Sequence, residues 1–310
     1  MWSWNIQQMG TLDLPALISH VLRTTRFAKL GLVCHSQGTT QTFVALAKHQ
    51  RPDIGPQISV FCALAPAAFA GPLMDRSYFR FIARLSPRAF KLIFGLHAFI
   101  PIMMTVHSYL PPKLYGRLGY RVFWFLFGWS DQRWDRGLRD RFFRFAPVYV
   151  SAEAMRWWLG RDCFAKHRCI LSTSTSTSTS SSSSYSEKEK NHLQPGLDSS
   201  SSQPSTDGDC SWYDHRCPPI ALWIAGSDDL VDGQKLIDRF QNGSSEPSVR
   251  LLHAKTIKEY EHLDVIWAID APEKVFSELV DVLWSSVEDA VKAEVVVPVK
   301  PVSGRDGGGK

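Results

Sequence analysis

Short apolar runs alternate with amphipathic stretches along much of the chain. The apolar runs predict strands at residues 27–34, 57–64, 220–225 and 249–253. A helical spacing of apolar positions predicts helices at residues 12–26, 37–49, 232–241 and 272–290. Because strands that alternate with helices are typical of a parallel sheet covered on both faces, we predict an α/β fold with a mostly parallel sheet.

Residues 71–171 break this alternation and carry a helical pattern that is rich in aromatic residues and arginine. Four arginines recur every four residues and form a basic stripe if one helix runs through them: Arg76, Arg80, Arg84 and Arg88. Pro87 is expected to end or bend that helix. We predict that this region is a helical cap inserted into the α/β core.

Within the cap, residues 92–110 contain no Asp, Glu, Lys or Arg, and by length alone they are a candidate membrane span. Gly95, His97, Pro101 and His107 interrupt the apolar run. These polar and helix-breaking residues favour a pair of short helices, buried or lying at an interface, over a true span.

A polar segment follows the cap. Residues 172–184 contain only Ser and Thr, and the composition stays polar through Ser205. Such a segment cannot bury enough apolar surface to form a core, so we predict a disordered insert. The predicted organisation is a first part of the core at 1–70, the cap at 71–171, the insert at 172–217, the second part of the core at 218–290 and a disordered tail at 291–310.

Composition and charge exclude few classes of function. With 310 residues, 44% of them hydrophobic, the chain can bury a sizeable core, and its formal net charge of +5 permits attraction to anionic surfaces. The chain contains no zinc-finger, RNA-recognition or helix-turn-helix signature, so we predict no nucleic-acid partner.

The N-terminal residues and the cysteines indicate in which cellular compartment the protein folds. The first ten residues lack the basic region and apolar run of a secretory signal peptide. The six cysteines match no standard metal spacing, so we predict no metal site and unpaired thiols in a reducing, intracellular setting. A disulfide or zinc site among the four that flank the insert is the alternative: Cys163, Cys169, Cys210 and Cys217.

The strongest chemical signal is Cys34-His35-Ser36-Gln37-Gly38, which lies between a predicted strand and a predicted helix. A nucleophile elbow needs this setting, because its tight turn lifts the serine hydroxyl above the sheet. The usual pattern is G-x-S-x-G, and Cys34 in place of the first glycine strains the turn without forbidding it. Ser36 is the candidate nucleophile and the backbone N–H of Gln37 is one oxyanion donor. A serine in an ordinary strand-to-helix turn is the alternative.

A nucleophilic serine needs a base, and the base needs a carboxylate that orients it. In enzymes that carry such an elbow, the order along the chain is serine, acid, histidine. Asp228 and His262 each follow a late predicted strand, so they are the candidate acid and base. Asp228 is preferred over Asp229 and Asp232, whose positions suit a turn and a helix cap. His35 would flank the pocket.

Four segments of the chain are similar to the motifs of one family. Residues 2–16 resemble an aromatic-rich segment that runs into a D-x-P-A helix start, and residues 29–40 resemble a G-H-S-Q-G-T elbow. Residues 225–232 resemble a G-x-D-x-L-x-D acid loop, and residues 260–268 an N-H-L-D-F-x-W histidine block. On these segments the chain resembles the acid lipase family of α/β hydrolases, which includes gastric and lysosomal acid lipases and fungal steryl ester hydrolases.

The resemblance implies an α/β-hydrolase fold with Ser36, Asp228 and His262 as nucleophile, acid and base. It also implies hydrolysis of triacylglycerols or steryl esters without a cofactor, under a helical cap. Candidate acyl-binding residues in the cap, with core packing as the alternative for each, are Phe90, Phe94, Phe99, Met103, Met104, Trp157 and Trp158. The aromatic cap is more similar to the fungal, membrane-associated branch, so we expect a membrane or lipid-droplet surface as a partner.

The chain also departs from the family. In the family, several strands and an H-G oxyanion segment precede the aromatic-rich segment, so the predicted strands amount to about half of the family's sheet. We therefore expect a partial α/β-hydrolase fold, its C-terminal half, that is truncated at the N-terminus. An inactive truncated relative that associates with membranes or partner proteins is the alternative function, and a short-chain esterase or thioesterase is a third.

Overall fold

The computed structural model of the protein describes residues 4–145, 149–161, 164–171 and 210–288. Within these residues the strands are β1 (Leu30–His35), β2 (Ile58–Leu64), β3 (Ile220–Ala225) and β4 (Leu251–Ile257). They form one sheet in the order β1-β2-β3-β4, and every neighbouring pair is parallel. The predicted α/β fold with a parallel sheet is confirmed.

The helices flank this sheet or lie between β2 and β3 in the chain. They are α1 (Ile6–Gln8), α2 (Leu14–Thr25), α3 (Gln37–Leu46), α4 (Ser77–Ile82), α5 (Pro87–Phe94), α6 (Ile102–Tyr109), α7 (Pro112–Phe127), α8 (Arg136–Phe143), α9 (Ala152–Leu159), α10 (Phe164–His167), α11 (Gly233–Gln241), α12 (Asp264–Trp267) and α13 (Ser277–Ser285). Two π-helical segments, Met9–Asp13 and Pro272–Phe276, run directly into α2 and α13, and 3₁₀ turns occur at Pro52–Gln57 and Pro72–Asp75.

The core lies on both faces of the sheet. On one face the rings of Phe43 and Phe61 meet edge to face with centroids 5.1 Å apart, and Phe240 of α11 packs against Phe43. On the other face the fully buried Trp223 and Val265 belong to a second cluster with residues of α13. Because β2 and β3 are covered on both faces, they read as continuous apolar runs, and each large side chain buried there contributes about 1.5–3 kcal/mol.

The first long helix begins earlier than predicted. We expected it to start at Leu12, with Asp13 and Pro15 in its first turn. In the structure the chain is already helical from Ile6, because Asn5 and Gln8 form a reciprocal capping box. The turns widen to π-helix before Pro15, where the Leu14 N–H donates to Met9. This widening accommodates a proline, which lacks the N–H that a regular α-helix would use.

The fourth strand is longer than predicted. We expected it to end at His253, whereas β4 runs to Ile257. It is an edge strand whose residues alternate between half-buried and exposed, so its later half carries polar side chains. Lys255, for example, donates to Glu278 of α13 at 2.6 Å. A strand with one wet face lacks the continuous apolar run by which we recognised the central strands.

The predicted basic stripe does not lie on one helix. The chain leaves α4 after Ile82, and Pro87 begins α5, where its missing N–H costs nothing. Arg88 therefore belongs to a different helix from Arg80, and Arg76 precedes α4 and pairs with Asp229 at 4.0 Å.

Residues 92–110 contain the end of α5, a connecting loop and α6 rather than one continuous helix. Two short helices were the preferred interpretation of this stretch. Among the helices of the described residues, none combines the length and the apolar composition that a bilayer crossing requires.

Residues 210–217 belong to the core and not to the insert to which we assigned them. Trp212 and Tyr213 are buried, and their N–H groups donate to the buried carboxylate of Glu246. The guanidinium of Arg239 pairs with that carboxylate at 2.5 Å and lies over the Trp212 ring. Polar residues flank these two aromatic residues in the sequence, so the sequence did not predict their burial. The Ser/Thr run and the predicted tail from residue 291 lie outside the described residues.

Candidate active site

Ser36 lies in a tight turn between the end of β1 and the start of α3. Its backbone has φ 50° and ψ −117°, a region that residues with a side chain rarely adopt. The Ser36 N–H donates to the carbonyl of Leu64 at 3.1 Å, and the Thr39 hydroxyl donates to the Ser36 carbonyl. These bonds hold the strained turn, and strain of this kind is typical of a nucleophile elbow.

Cys34 occupies the position where a glycine is usual without crowding its neighbour Gly38. A Cβ at Gly38 would lie 3.5 Å from the Cys34 Cβ, an ordinary contact distance. The Cys34 thiol lies 3.3 Å from the hydroxyl of Thr42, and burial raises its pKa. The thiol is therefore kept in its neutral, unreactive form beside the serine.

Asp228 lies in the turn that leaves β3. Its Oδ1 atom accepts from the N–H groups of Leu230 at 2.8 Å and Val231 at 3.2 Å. The cap begins against this turn, since the Gly71 N–H donates to the Leu230 carbonyl. A Cβ on Gly71 would lie 2.4 Å from the Asp229 carbonyl oxygen, so this close approach requires glycine. The carboxylate is thus held by the N–H groups of its own turn, and the cap contacts the backbone of that turn.

His262 lies in the loop after β4 and contacts both other residues. Its Nδ1 is 2.6 Å from Asp228 Oδ2, and its Nε2 is 2.6 Å from Ser36 Oγ. Because a carboxylate only accepts, Nδ1 carries the proton, which leaves Nε2 free to accept the serine proton. The side chains of His262 and Asp228 are almost fully buried. The structure therefore brings the three predicted residues together in the order that acyl transfer needs.

The other carboxylates of the acid loop lie elsewhere. Asp229 is mostly exposed and faces Arg76, while Asp232 accepts from the Lys235 N–H at 2.9 Å and caps α11. His35 flanks the site as predicted by position, and its Nε2–H donates to the His262 carbonyl at 3.1 Å. Burial lowers the pKa of His35 to about 4, with the nearby His262 acting in the same direction. In the described residues no cluster of three or more His, Cys, Asp or Glu side chains is arranged to hold a metal ion.

Gln37 begins α3, and its backbone N–H is a first-turn donor of the kind that helices leave without an intrahelical partner. Its side chain is held by the cap, since the indole N–H of Trp158 donates to Gln37 Oε1 at 2.9 Å. Trp158 was predicted as an acyl-binding residue, and the structure places it against the elbow, beside Gln37.

Three of the predicted acyl-binding residues pack on one another. The rings of Phe90, Phe94 and Phe99 have centroids 4.7 to 6.3 Å apart, and Phe90 is fully buried. Phe90 belongs to the core of the cap, which was the alternative interpretation, and Phe94 and Phe99 are partly buried against that core.

The cap also touches the histidine loop, which the sequence did not reveal. The Trp129 ring stacks on the His262 ring, with centroids 5.5 Å apart and planes 9° apart. Next to it, the Ser130 N–H donates to the Glu261 carboxylate at 2.5 Å. The Trp134 indole donates to the buried carboxylate of Asp264 at 2.7 Å. These contacts join residues about 130 positions apart in the chain, so no local pattern could announce them.

Comparison with known proteins finds relatives of this chain among lipases and sterol esterases. No family model matches the chain. Sterol esterase 2 of Saccharomyces cerevisiae is 34% identical over 290 residues, covering 90% of this chain and 52% of that protein. Human gastric triacylglycerol lipase is 26% identical and rat lysosomal acid lipase/cholesteryl ester hydrolase is also 26% identical; each match covers 91% of this chain and 64% of the relative. The chain is a homologue of the acid lipases.

This acid lipase homologue spans about half to two thirds of the length of the curated relatives that it matches. Its parallel sheet, elbow and flanking helices are those of an α/β hydrolase, as the resemblance implied. Among solved structures, a monoacylglycerol lipase of Paleococcus ferrophilus is similar with a TM-score of 0.43 and 11% identity, over 92% of this chain and 77% of that one.

Proposed function

We propose that the protein is a carboxylic ester hydrolase that acts on long-chain lipid esters by acyl transfer to Ser36. The observation that carries the proposal is the pair of 2.6 Å contacts that His262 makes with Ser36 and Asp228. Relatives that are named sterol esterase and triacylglycerol lipase support a lipid ester as the substrate class. No residue of this mechanism calls for a cofactor.

In the first half-reaction, the Ser36 oxygen attacks the ester carbonyl carbon while His262 Nε2 takes the hydroxyl proton. Asp228 holds the imidazole in the right tautomer and stabilises the imidazolium that forms. The N–H of Gln37 donates to the oxyanion. The imidazolium then gives its proton to the departing alcohol, which leaves an acyl group on Ser36.

In the second half-reaction, His262 takes a proton from water, and the resulting hydroxide attacks the acyl carbonyl. The tetrahedral intermediate collapses, His262 returns the proton to Ser36, and the fatty acid leaves. Each proton removed is given back within the cycle, so the two products are an alcohol and a carboxylic acid.

Exposed apolar side chains on the cap support the proposal that the substrate is large and apolar. Several of its big apolar side chains are more than half exposed: Phe81, Leu92, Ile93, Ile102, Tyr109, Trp124 and Phe125. Large exposed apolar patches mark lipid or protein interaction sites, and these side chains are the candidates for such a patch. We therefore propose triacylglycerols or steryl esters as substrates, met at a membrane or lipid-droplet surface inside the cell.

A fluorophosphonate probe tests the chemistry directly, since it labels only an activated serine. We expect the wild type to be labelled and Ser36→Ala not to be. Esters of increasing acyl length then test the substrate class, with faster turnover expected for long chains. A soluble, folded wild type that resists labelling would favour the inactive-relative alternative, and a preference for short acyl chains would favour a small-ester esterase.

A further inference from the structure

A strongly basic cavity lies in the cap between α4 and α10, and its lining does not include Ser36, Asp228 or His262. Its volume is about 560 Å³, and five cationic side chains line it: Arg80, Arg84, Arg161, Lys166 and Arg168. Met74 and two alanines complete the wall. The mechanism proposed above uses none of these residues.

The charge in this cavity is only partly compensated. Arg168 pairs with Asp75 at 2.5 Å. Within the described residues, Arg80, Arg84 and Lys166 form no ion pair, and all three are exposed. Like charges held together in a concave surface raise the local potential and attract an anion. Arginine in particular presents a planar fork that matches the oxygens of a phosphate group.

An exposed aromatic residue, Phe81, adjoins the cavity in the chain without lining it. Phe81 follows Arg80 directly, lies one helical turn before Arg84, and is 60% exposed. Met74, in the cavity wall, belongs to the segment that binds the acid loop, since the Leu73 N–H donates to the Asp229 carbonyl at 2.8 Å. A cationic recess beside an exposed aromatic ring suits a ligand with an anionic head and an apolar tail.

We propose that this cavity is a binding site for the phosphate-bearing head group of an anionic phospholipid. The arginines of α4 and its following turn would hold the head group while Phe81 contacts the acyl region. The proposal rests on the proposed function for the nature of the surface, but not on the chemistry at Ser36. It gives the cap a defined point of attachment beside the acid loop.

Flotation with vesicles tests the site. Wild type is compared on vesicles of phosphatidylcholine alone and of phosphatidylcholine with a minority of phosphatidic acid. The test variant is Arg80→Gln with Arg84→Gln, and the control is Arg88→Gln with Arg121→Gln, which removes two exposed cap arginines outside the cavity. Each basic residue near an anionic surface strengthens partitioning about fivefold, so we expect the test variant to lose about thirtyfold and the control much less.

Two outcomes would overturn the site. Equal losses in both variants would mean diffuse attraction and no defined cavity. If inorganic phosphate alone raised the melting temperature of the wild type but not of the test variant, and competed fully with the vesicles, the cavity would hold a soluble anion instead. Probe labelling of Ser36 keeps the two proposals separate. Test variants that are still labelled at Ser36 but no longer float have lost only the head-group site. An unlabelled wild type with the expected flotation pattern refutes only the proposed hydrolase.

Discussion

The indole of Trp129 lies parallel to the imidazole of His262, with the two planes 9° apart. One ring belongs to the loop after α7 in the cap and the other to the loop after β4 in the core. Trp129 is itself stacked on Phe127 with centroids 4.4 Å apart, so the cap holds the Trp129 ring against His262. The orientation of His262 therefore depends on the cap as well as on Asp228.

Removing the Trp129 ring should slow acylation of Ser36 without abolishing it. Aromatic pairs contribute about 0.5–1.5 kcal/mol beyond buried area, so Trp129→Leu should lower the probe labelling rate by about twofold to tenfold. Trp129→Phe, which can still stack, should lose less. Trp124→Leu is the control, because that ring is 55% exposed. Equal rates in all three variants would show that the stack does not orient the base.

Asp228→Asn should cripple the chemistry while leaving the loop folded. The amide oxygen can still accept from the Leu230 and Val231 N–H groups, but the amide nitrogen would face His262 Nδ1 and favour the wrong tautomer. A loss of about 10⁴ in kcat is expected, with little change in melting temperature. Asp229→Asn is the matched control and should keep near wild-type turnover, since Asp229 does not touch the histidine. An active Asp228→Asn protein would contradict the assignment.

Much of the core could be predicted from the sequence because its signals are local. The strand at 220–225 was predicted at its observed bounds, since a central parallel strand is apolar at every position. The elbow and the strand exits give Ser36, Asp228 and His262 their places through chain order alone. The edge strand β4 was cut short at His253, because its polar positions do not form such a run.

The cap resisted prediction for a different reason. Its aromatic residues look alike in sequence, and only long-range packing separates them. Phe90 is buried in the centre of the cap, Trp129 stacks on the base, and Trp158 donates to Gln37. The spacing of Arg76 to Arg88 would form a stripe on one helix, but Pro87, which was expected to end or bend that helix, begins a second one.

Trp158→Phe should weaken the oxyanion side of the site. It keeps the aromatic bulk but removes the 2.9 Å bond to Gln37 Oε1, which restrains the residue whose N–H is the proposed oxyanion donor. A neutral hydrogen bond contributes about 0.5–1.5 kcal/mol, so kcat should fall by about twofold to tenfold while KM changes little. Trp157→Phe is the control, since within the described residues the Trp157 side chain makes ring contacts and no hydrogen bond. A rise in KM alone would point to substrate binding instead.

His35 should make the fold sensitive to acid. Its pKa is about 4 in the folded protein against an ordinary value of 6.5, because the ring is buried and faces His262, with Asp228 only partly offsetting this. As the pH falls below 6.5, the unfolded chain binds a proton that the folded chain refuses, so the stabilisation from the neutral ring is progressively lost down to about pH 4. The loss is on the order of 3 kcal/mol.

His35→Gln can still donate to the His262 carbonyl but does not titrate, so its urea-unfolding free energy should fall less between neutral pH and the acid end of this window. His20→Gln, at an exposed position of α2, should behave as the wild type does. If wild type and His35→Gln lost equal stability across the window, His35 would not be the acid-sensitive group.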